Sequence, residues 1–391
     1  MKPIHESEIS LFGNSNIEIR KLKQKAANSC EIWHCLKKHV IDKSPILSSH
    51  HQHKNHEMPP ILMSSHFPSD SIPDEINQFL QFINNFDIKY ANLSETLYRF
   101  DIFVSNLRDL QDRQKSENGN VLFEINQFSA MSDEELKQRL MSYQDFEGDV
   151  KIAIETSSKT TTDKNNVIFD KQPSWKGRPA FVDWRTKGKV TRIKDQGQCG
   201  SCWAFSVTAA VESQIAIKRN DLIELSEQQL IDCDSENRGC SGGYRPWAFS
   251  YIESKGQTTE QLYYYTGRKG ECRNITANLR KIDSHKYLGT DEDHLADWVA
   301  EHGPVSFGVN VTRGMYQYSS GVFNPSPDEC AHHSIGSHAM IIVGYGEMNG
   351  DTYWLIKNSW ASSYGDSGYL KMKRGVNSCG IANAVFAPII N

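Results

Sequence analysis

Apolar residues recur at helical spacing between residues 71 and 110. Pro73 suits a first helical turn, and apolar side chains follow at intervals of three or four, at Ile76, Phe79, Ile83 and Phe86. Asn92 and Glu95 then resemble a capping pair at the start of a second helix. Its apolar stripe comprises Leu93, Leu97, Phe100, Phe103 or Val104, Leu107 and Leu110. The pattern predicts two amphipathic helices.

Shorter elements follow these helices. Asn118-Gly119 predicts a turn into a strand over 121–125, and Ser132 with Glu135 predicts a capping box that opens a third helix. Residues 144–178 are rich in Ser, Thr, Lys, Asp and Asn without sustained periodicity, so we expect a linker there. Because exposed linkers are the usual sites of proteolysis, cleavage is expected at roughly 170–181.

The region from residue 179 to the C-terminus divides into two halves. Helices are predicted over 202–219, 226–232 and 244–254, and a further helix over 294–302. Period-two or continuous apolar runs then predict strands over 305–311, 339–345, 353–357 and 369–373. A helical half packed on an antiparallel half leaves a cleft between them, which is a common place for substrates.

Composition limits the possible partners. The formal charge of −5 is spread over 391 residues, which gives no reason to expect a nucleic-acid partner. The longest apolar run, Ala339 to Val343, is far short of the roughly 20 residues needed to cross a bilayer, so no membrane span is expected. The N-terminus lacks the apolar stretch of about 7–15 residues typical of a secretory signal.

Residues 1–70 form a polar segment with eight of the fourteen histidines. A His-rich tract can bind metal, but it offers no fixed arrangement of ligands, so we expect a disordered tail without a core and no metal site. Cys30 and Cys35 in this tail cannot be assigned a role.

The other seven cysteines fall after residue 190, which is an odd number. At most six can pair, in any of 15 connectivities, so one thiol remains as a candidate nucleophile. The count alone does not identify it.

One thiol lies in a recognisable motif, Cys199-Gly200-Ser201-Cys202-Trp203-Ala204-Phe205. This run fits the pattern Cys-Gly-(Ser/Ala)-Cys-(Trp/Tyr), which surrounds a nucleophilic cysteine in one class of enzymes. From about residue 74 onward the chain resembles the papain family of cysteine proteases, which implies an α+β fold of a helical left half and a barrel-like antiparallel right half. The resemblance implies that Cys202 is the nucleophile of an endopeptidase that acts through a thioester and is made as a zymogen. A cysteine at a helix N-terminus gains from the helix dipole, which lowers the pKa of its thiol.

His338 is the candidate base. It matches the family's His-Ala motif at the start of a buried strand, and it lies 136 residues downstream, from 202 to 338, inside the expected separation of about 130–150. His332 and His333 compete on composition alone, but they lie in a Pro/Ser-rich loop.

By the same resemblance, Asn358 orients the histidine, Trp360 shields that hydrogen bond, and Gln196 donates to the oxyanion together with the Cys202 backbone N–H. The resemblance also implies disulfides Cys199–Cys240, Cys233–Cys272 and Cys330–Cys379. The rival interpretation of Cys199-x-x-Cys202 is a dithiol redox motif, which would leave the histidine and asparagine motifs without purpose. No cofactor is expected.

The family likeness also suggests substrate contacts. Gly200, Trp203, Gly242 and Gly243 would line the cleft, with the two adjacent glycines allowing backbone pairing to an extended peptide. The pocket for the residue two before the scissile bond would comprise Tyr244, Arg245, Gly308, Gly336 and Ala384. Its small residues predict a roomy, apolar pocket. Arg245 would either extend from the rim to water, which we favour, or accept an acidic side chain.

Two family patterns are altered here. Tyr364 stands where the family has a tryptophan on the leaving-group side, beside Trp360. Residues 71–143 resemble a cathepsin-L-type inhibitory pro-region through Glu95, Arg99, Ile102, Phe103, Asn106 and Leu110, with Gln114 in place of asparagine. In the second pro-region motif, Glu124 replaces glycine and Ala130 replaces aspartate, which puts acid-triggered release in doubt.

The expected partners are peptide and protein substrates, the chain's own pro-region and cystatin-type inhibitors, with the enzyme a monomer. Disulfides and the sequons at Asn92, Asn274 and Asn310 argue for a lysosomal or secreted glycoprotein, whereas the N-terminus argues against it. We favour an atypical or wrongly defined start over folding in the cytosol. An inactive binding relative, or a peptide ligase, is the alternative function.

Overall fold

A computed structural model describes residues 74–117, 119–160 and 177–391. The predictions for the 1–70 tail, for Cys30 and Cys35, and for cleavage before residue 177 lie outside these residues.

The segment up to Ser105 contains helix α1, Asp74–Asn85, and the first half of helix α2, Leu93–Ser116. The apolar stripes predicted from the sequence meet in an aromatic cluster, in which the Phe103 ring lies 5.2 Å from both Phe79 and Phe82. The predicted cap is present: the Glu95 backbone N–H donates to Asn92 Oδ1 over 3.0 Å. Local pattern and aromatic burial therefore account for this part of the fold.

The unit from Asn106 to Asn391 contains the remaining elements. Its further helices are α3 Asp133–Lys137, α4 Tyr143–Thr160, α5 Cys202–Arg219, α6 Glu227–Cys233, α7 Arg245–Lys255, α8 Glu292–His302, α9 Arg313–Gln317 and α10 Pro327–His332, with a 3₁₀ turn at Ser378–Gly380. Its strands are β1 Val121–Phe123, β2 Val182–Asp183, β3 Ser284–Tyr287, β4 Val305–Thr312, β5 Tyr318–Gly321, β6 Ser334–Met348, β7 Asp351–Lys357, β8 Tyr369–Lys373 and β9 Val385–Ile389.

Seven of these strands form one antiparallel sheet in the order β3-β9-β4-β6-β7-β8, with β2 paired to β6. Strand β6 is almost wholly buried along its 15 residues, because β4 and β7 flank it and α5 packs against it. Helix α5 is buried from Cys202 to Ala216. The expected α+β architecture of a helical half on an antiparallel half is confirmed, and both α5 and β6 are placed at the junction.

The pro-region contributes a strand and a capped helix to this unit. β1 pairs antiparallel with β5 over three residues, shorter than the predicted strand. Gln114 spans the turn before it, since its Oε1 accepts from the Phe123 backbone N–H at 2.9 Å and its Nε2 donates to Val121 O at 3.2 Å. Ser132 and Glu135 form the predicted capping box of α3.

The prediction of a linker from residue 144 is wrong over its first part. Residues 143–160 form helix α4, which precedes the expected cleavage and is therefore counted with the pro-region below. Its inner face carries Phe146, Ala153 and two aspartates, Asp145 and Asp149, all of them buried. These residues do recur at helical spacing, but the apolar members are few and stand among polar residues. The face is specified by ion pairs as much as by apolar burial, so its period escapes a hydrophobicity pattern.

The three disulfides join Cys199 to Cys240, Cys233 to Cys272 and Cys330 to Cys379, as the family resemblance implies. Within the described residues, Cys202 is the free cysteine, and it is buried. None of the described helices combines the length and apolar character needed to cross a membrane.

Candidate active site

Cys202 is the first residue of α5 and follows a tightly packed loop. The Gly200 backbone N–H donates to Cys240 O over 2.9 Å, beside the Cys199–Cys240 disulfide. A Cβ on Gly200 would lie 2.6 Å from that carbonyl oxygen, so only glycine permits this approach. The loop therefore fixes the thiol at the helix N-terminus.

His338 lies on β6 opposite Val309 of β4, and Asn358 directly follows β7. The His338 Nε2 atom is 2.8 Å from Asn358 Oδ1, and this oxygen also accepts from the Ser359 backbone N–H over 2.7 Å. Because that oxygen is an acceptor, Nε2 carries the proton and Nδ1 is left as the free base. Nδ1 is buried and has no hydrogen-bond partner among the described residues. Trp360 stacks on the imidazole at 4.6 Å.

Gln196 is fully buried and held at both ends of its amide. Its Oε1 accepts from Ser359 Oγ at 2.6 Å, while Nε2 donates to Cys199 O at 2.9 Å and to Arg139 O at 2.7 Å. Arg139 belongs to the segment that follows α3. The Arg139 carbonyl of the pro-region therefore accepts from Gln196 Nε2, the donor predicted to bind the oxyanion.

The pKa values of the two reacting groups are set by burial in this form. Burial raises the pKa of Cys202 to about 12, although the Ala339 backbone N–H opposes the shift. Burial lowers the pKa of His338 to about 4, against the hydrogen bond to Asn358. Thiol and imidazole are therefore both neutral near pH 7, so the ion pair expected from a helix N-terminus is not the state of the closed form.

Aromatic contacts anchor the pro-region at one end of the site. Phe128 lies edge-on to Tyr316 at 5.0 Å and to Trp360 at 5.6 Å. Tyr364 lies 6.3 Å from Phe128 and is fully buried, with its hydroxyl donating to Met315 O over 2.7 Å. Its predicted place on the leaving-group side is thus covered by the pro-region here.

Backbone pairing carries the pro-region across the cleft. Met141 and Ser337 exchange two backbone hydrogen bonds, of 2.8 and 3.0 Å. Leu140 packs on Gly336, where a Cβ would lie 2.8 Å from Leu140 Cδ1. Gly336 therefore contacts the pro-region, and its role as a subsite residue remains a prediction.

Helix α4 then fills the pocket predicted for the residue two before the scissile bond. The Phe146 ring would lie 2.8 Å from a Cβ on Gly308. Arg245 Nε donates to Asp149 Oδ2 over 2.7 Å, and both side chains are fully buried. The favoured prediction that Arg245 extends from the rim to water is therefore wrong in this form, because a carboxylate and the Ala384 carbonyl hold the guanidinium inside.

The neighbouring loop is closed in a similar way. Asp145 is fully buried, contacts Gly242 and forms an ion pair with Arg238. Gly243 packs instead against Asn237 and Trp203, and Tyr244 lies against Gly148 of α4. Trp203 is fully buried, with its indole donating to Gly239 O over 3.0 Å. The substrate contacts predicted for Trp203, Gly242, Gly243 and Tyr244 remain predictions.

The three sequons differ in exposure. Asn92 and Asn274 are exposed, whereas Asn310 lies on β4 with a buried Oδ1 that has no hydrogen-bond partner among the described residues. Among the described residues no cluster of three His, Cys, Asp or Glu side chains could hold a metal ion.

Sequence reasoning missed several residues of this site. Arg139 acts through its carbonyl, and Ser359 through a hydroxyl that positions Gln196. Asp145 and Asp149 lie four residues apart, which is the spacing of neighbours on one helix face, and this was the available signal.

Comparison with known proteins agrees with this geometry. Residues 178–389 match the family model "Papain family cysteine protease", and residues 79–136 match "Cathepsin propeptide inhibitor domain (I29)". The chain belongs to the papain family of cysteine proteases and carries an inhibitory propeptide.

Individual relatives cover both parts. The chain is 37% identical over 323 residues to digestive cysteine proteinase 1 of Homarus americanus, covering 79% of this chain and 94% of that protein. It is 32% identical over 372 residues to cathepsin F of Mus musculus, covering 93% and 77%. The solved structure of digestive procathepsin L 3 from Tenebrio molitor larval midgut matches with a TM-score of 0.68 and 34% identity, covering 82% of this chain and 100% of that one.

Proposed function

We propose that the mature protein is an endopeptidase that cleaves peptide bonds through a thioester on Cys202. The observation that carries the proposal is the hydrogen bond from His338 Nε2 to Asn358 Oδ1, because it leaves Nδ1 free to take the thiol proton. Gln196 supplies a second, separately positioned donor for the oxyanion.

In this mechanism the proton of Cys202 moves to His338 Nδ1, and the sulfur attacks the scissile carbonyl carbon. The oxyanion accepts from the Cys202 backbone N–H and from Gln196 Nε2. When the tetrahedral species collapses, the imidazolium protonates the departing amine and the thioester remains. Water, deprotonated by the same imidazole, then attacks the thioester carbon and releases the carboxylic acid and the free thiol.

The pro-region inhibits by occupying this machinery in reverse. Along the chain, Arg139 at the oxyanion donor comes before Phe146 and Asp149 at the pocket. A substrate must run the other way, since its residue two before the scissile bond precedes the carbonyl that is attacked. The reversed course supports inhibition without cleavage.

The pocket favours a bulky apolar side chain two before the scissile bond. In the precursor Phe146 occupies this pocket and packs against Gly308 and Gly380. A Cβ on Gly380 would lie 3.3 Å from two carbons of the Phe146 ring. A monomer in a lysosomal or secreted setting, sensitive to cystatin-type inhibitors, completes the proposal, with Asn274 as an exposed site for a glycan.

The test is covalent labelling combined with peptide cleavage. Processed enzyme is treated with an epoxide or vinyl-sulfone probe, and we expect one label on Cys202 and loss of cleavage of peptides with Leu or Phe at the second subsite. Cys202→Ala should neither label nor cleave. Cleavage that survives in Cys202→Ala would overturn the mechanism, and a processed wild-type protein that neither labels nor cleaves would favour an inactive binding relative.

A further inference from the structure

We infer that the pocket two residues before the scissile bond is also a carboxylate site, in which the Arg245 guanidinium and the N-terminus of α7 select an acidic substrate side chain over its neutral isostere. This inference rests on the proposed function and adds a substrate class to it.

The contact between Arg245 and Asp149 carries the argument. Two donors of Arg245 approach the two oxygens of one carboxylate: Nε lies 2.7 Å from Oδ2, and the backbone N–H lies 3.1 Å from Oδ1. Arg245 is the first residue of the 11-residue helix α7, so this backbone N–H is one of the donors that the helix leaves unsatisfied. Side-chain charge and helix end therefore converge on one anionic position.

The catalytic region holds the guanidinium in place without the pro-region. Arg245 Nη2 donates to Ala384 O over 2.7 Å, Nη1 lies 3.4 Å from Ser306 Oγ, and the guanidinium carbon lies 5.3 Å from the Phe386 ring centroid. All three partners belong to residues 177–391, so removal of α4 takes none of them away. The donors that face Asp149 therefore keep their direction in the mature enzyme.

The carboxylate itself leaves with the pro-region. Within residues 177–391 no Asp or Glu oxygen lies within 4.0 Å of the Arg245 guanidinium, and the ion-pair partner in the closed form is Asp149. A cation in a deep pocket without a counter-charge is unfavourable. A substrate carboxylate that replaces Asp149 removes this cost, whereas a neutral amide of the same shape does not.

The occupant would reach Arg245 from the substrate side of the pocket. A Cβ on Gly308 would lie 2.8 Å from the Phe146 ring and 3.1 Å from Arg245 Nη2, so the ring now in the pocket and the guanidinium both face Gly308. The pocket thus has an apolar wall and a cationic end. Glutamate, with methylenes for the wall and a terminal carboxylate, matches both.

The experiment uses three fluorogenic peptides that differ only at this position, as Glu, Gln or Leu, on processed enzyme whose active sites are counted with the covalent probe. We expect kcat/KM for Glu to exceed that for Gln by roughly 10-fold or more at pH 6.5, as for a charge-assisted hydrogen-bonded pair. In Arg245→Met the Glu:Gln ratio should fall to about one, and Arg245→Lys should keep an intermediate ratio because it retains charge without the fork.

Arg238→Met is the matched control. Arg238 also loses a pro-region carboxylate, Asp145, but it contacts the loop at Gly242 and not the pocket, so the Glu:Gln ratio should stay at the wild-type value. Since Arg245→Met leaves Asp149 buried and unpaired in the precursor, the double variant Asp149→Leu/Arg245→Met is prepared in parallel to secure folding.

Two outcomes would overturn the inference: a Glu:Gln ratio of one or less in the wild type, or a ratio that Arg245→Met does not change. Either result leaves the protease itself intact if the probe labels Cys202 and the Leu peptide is cleaved. Failure of labelling and of all three cleavages would instead count against the proposed function.

Discussion

The pro-region binds the two ends of the cleft by different physics. At one end Phe128 packs into an aromatic group of Tyr316, Trp360 and Tyr364, and the Arg139 guanidinium carbon lies 5.0 Å from the Phe128 ring centroid. At the other end α4 places Asp145 and Asp149 against Arg238 and Arg245. Apolar burial adds stability in proportion to area, whereas a buried ion pair mainly penalises the loss of either partner. The aromatic end therefore supplies affinity, and the ionic end supplies specificity for this chain's own pocket.

Removing the aromatic anchor should have the largest effect. Phe128→Ala deletes a ring that is 3% exposed, and loss of such a core phenylalanine costs about 4 kcal/mol. In a Cys202→Ala precursor, which cannot process itself, we expect amide hydrogen exchange over residues 139–149 to report a smaller opening free energy by that amount. Leu122→Ala, at a side chain 47% exposed, is the control. Equal protection in Phe128→Ala and the control would remove the aromatic anchor from the comparison.

Breaking the ionic end should come next. Asp149→Asn keeps the shape but leaves the guanidinium of Arg245 buried without a counter-charge, at a cost of about 3 kcal/mol. Opening of residues 139–149 should increase accordingly, as measured by the rate at which the covalent probe labels Cys202 in the uncleaved precursor. Glu147→Gln changes an exposed carboxylate on the same helix and should leave the labelling rate unchanged. An unaltered labelling rate in Asp149→Asn would mean that the ion pair does not stabilise the closed form.

Acid should loosen the closed form through His338. Burial lowers its pKa from 6.5 to about 4, so an opened precursor binds more protons than the closed one between those values. The closed form thus has its full stability above pH 6.5 and loses it as the pH falls toward 4. From pH 6.5, where the opened histidine is already half protonated, to pH 5 the change is about 1.6 kcal/mol, or roughly 15-fold in the opening equilibrium.

Hydrogen exchange over residues 139–149, corrected for the intrinsic pH dependence of amide exchange, measures this linkage. Burial also raises the pKa of Asp149, which acts in the opposite direction, so the Asp149→Asn precursor isolates the contribution of the histidine. A pH-independent opening free energy in that variant would contradict the assignment. An opening free energy that falls with acid as expected would mean that acid-promoted release does not depend on the aspartate that Ala130 replaces.

The smallest effect is expected at Gln114. Its two hydrogen bonds to the β1 backbone are partly buried, and replacing it with alanine should cost about 1 kcal/mol. A lower midpoint of pro-region unfolding in urea, with the catalytic region unaffected, checks this. Gln111→Ala, which changes an exposed glutamine on the same helix, is the reference. Equal midpoints would show that the Gln114 hydrogen bonds do not stabilise the pro-region.

Much of the site follows from the sequence because its signals are local. The Cys202 motif, His338 near the start of β6 and the Asn358 motif each lie within a few positions of an element boundary, and the structure brings His338 and Asn358 together as expected. Asp149 and Arg245 are 96 residues apart, and neither residue alone signals the other. Their pairing and the shifted pKa values of Cys202 and His338 arise from burial, which only the assembled fold determines.

The hydrogen bond from Gln196 to the Arg139 carbonyl has an evolutionary consequence. The same amide binds the pro-region in the precursor and, in the proposed mechanism, donates to the oxyanion after processing. In this mechanism a substitution that weakens the Gln196 donor would slow the mature enzyme and would also weaken inhibition in the precursor. Selection for safe storage and selection for speed therefore act on this side chain in the same direction, so neither can relax it alone.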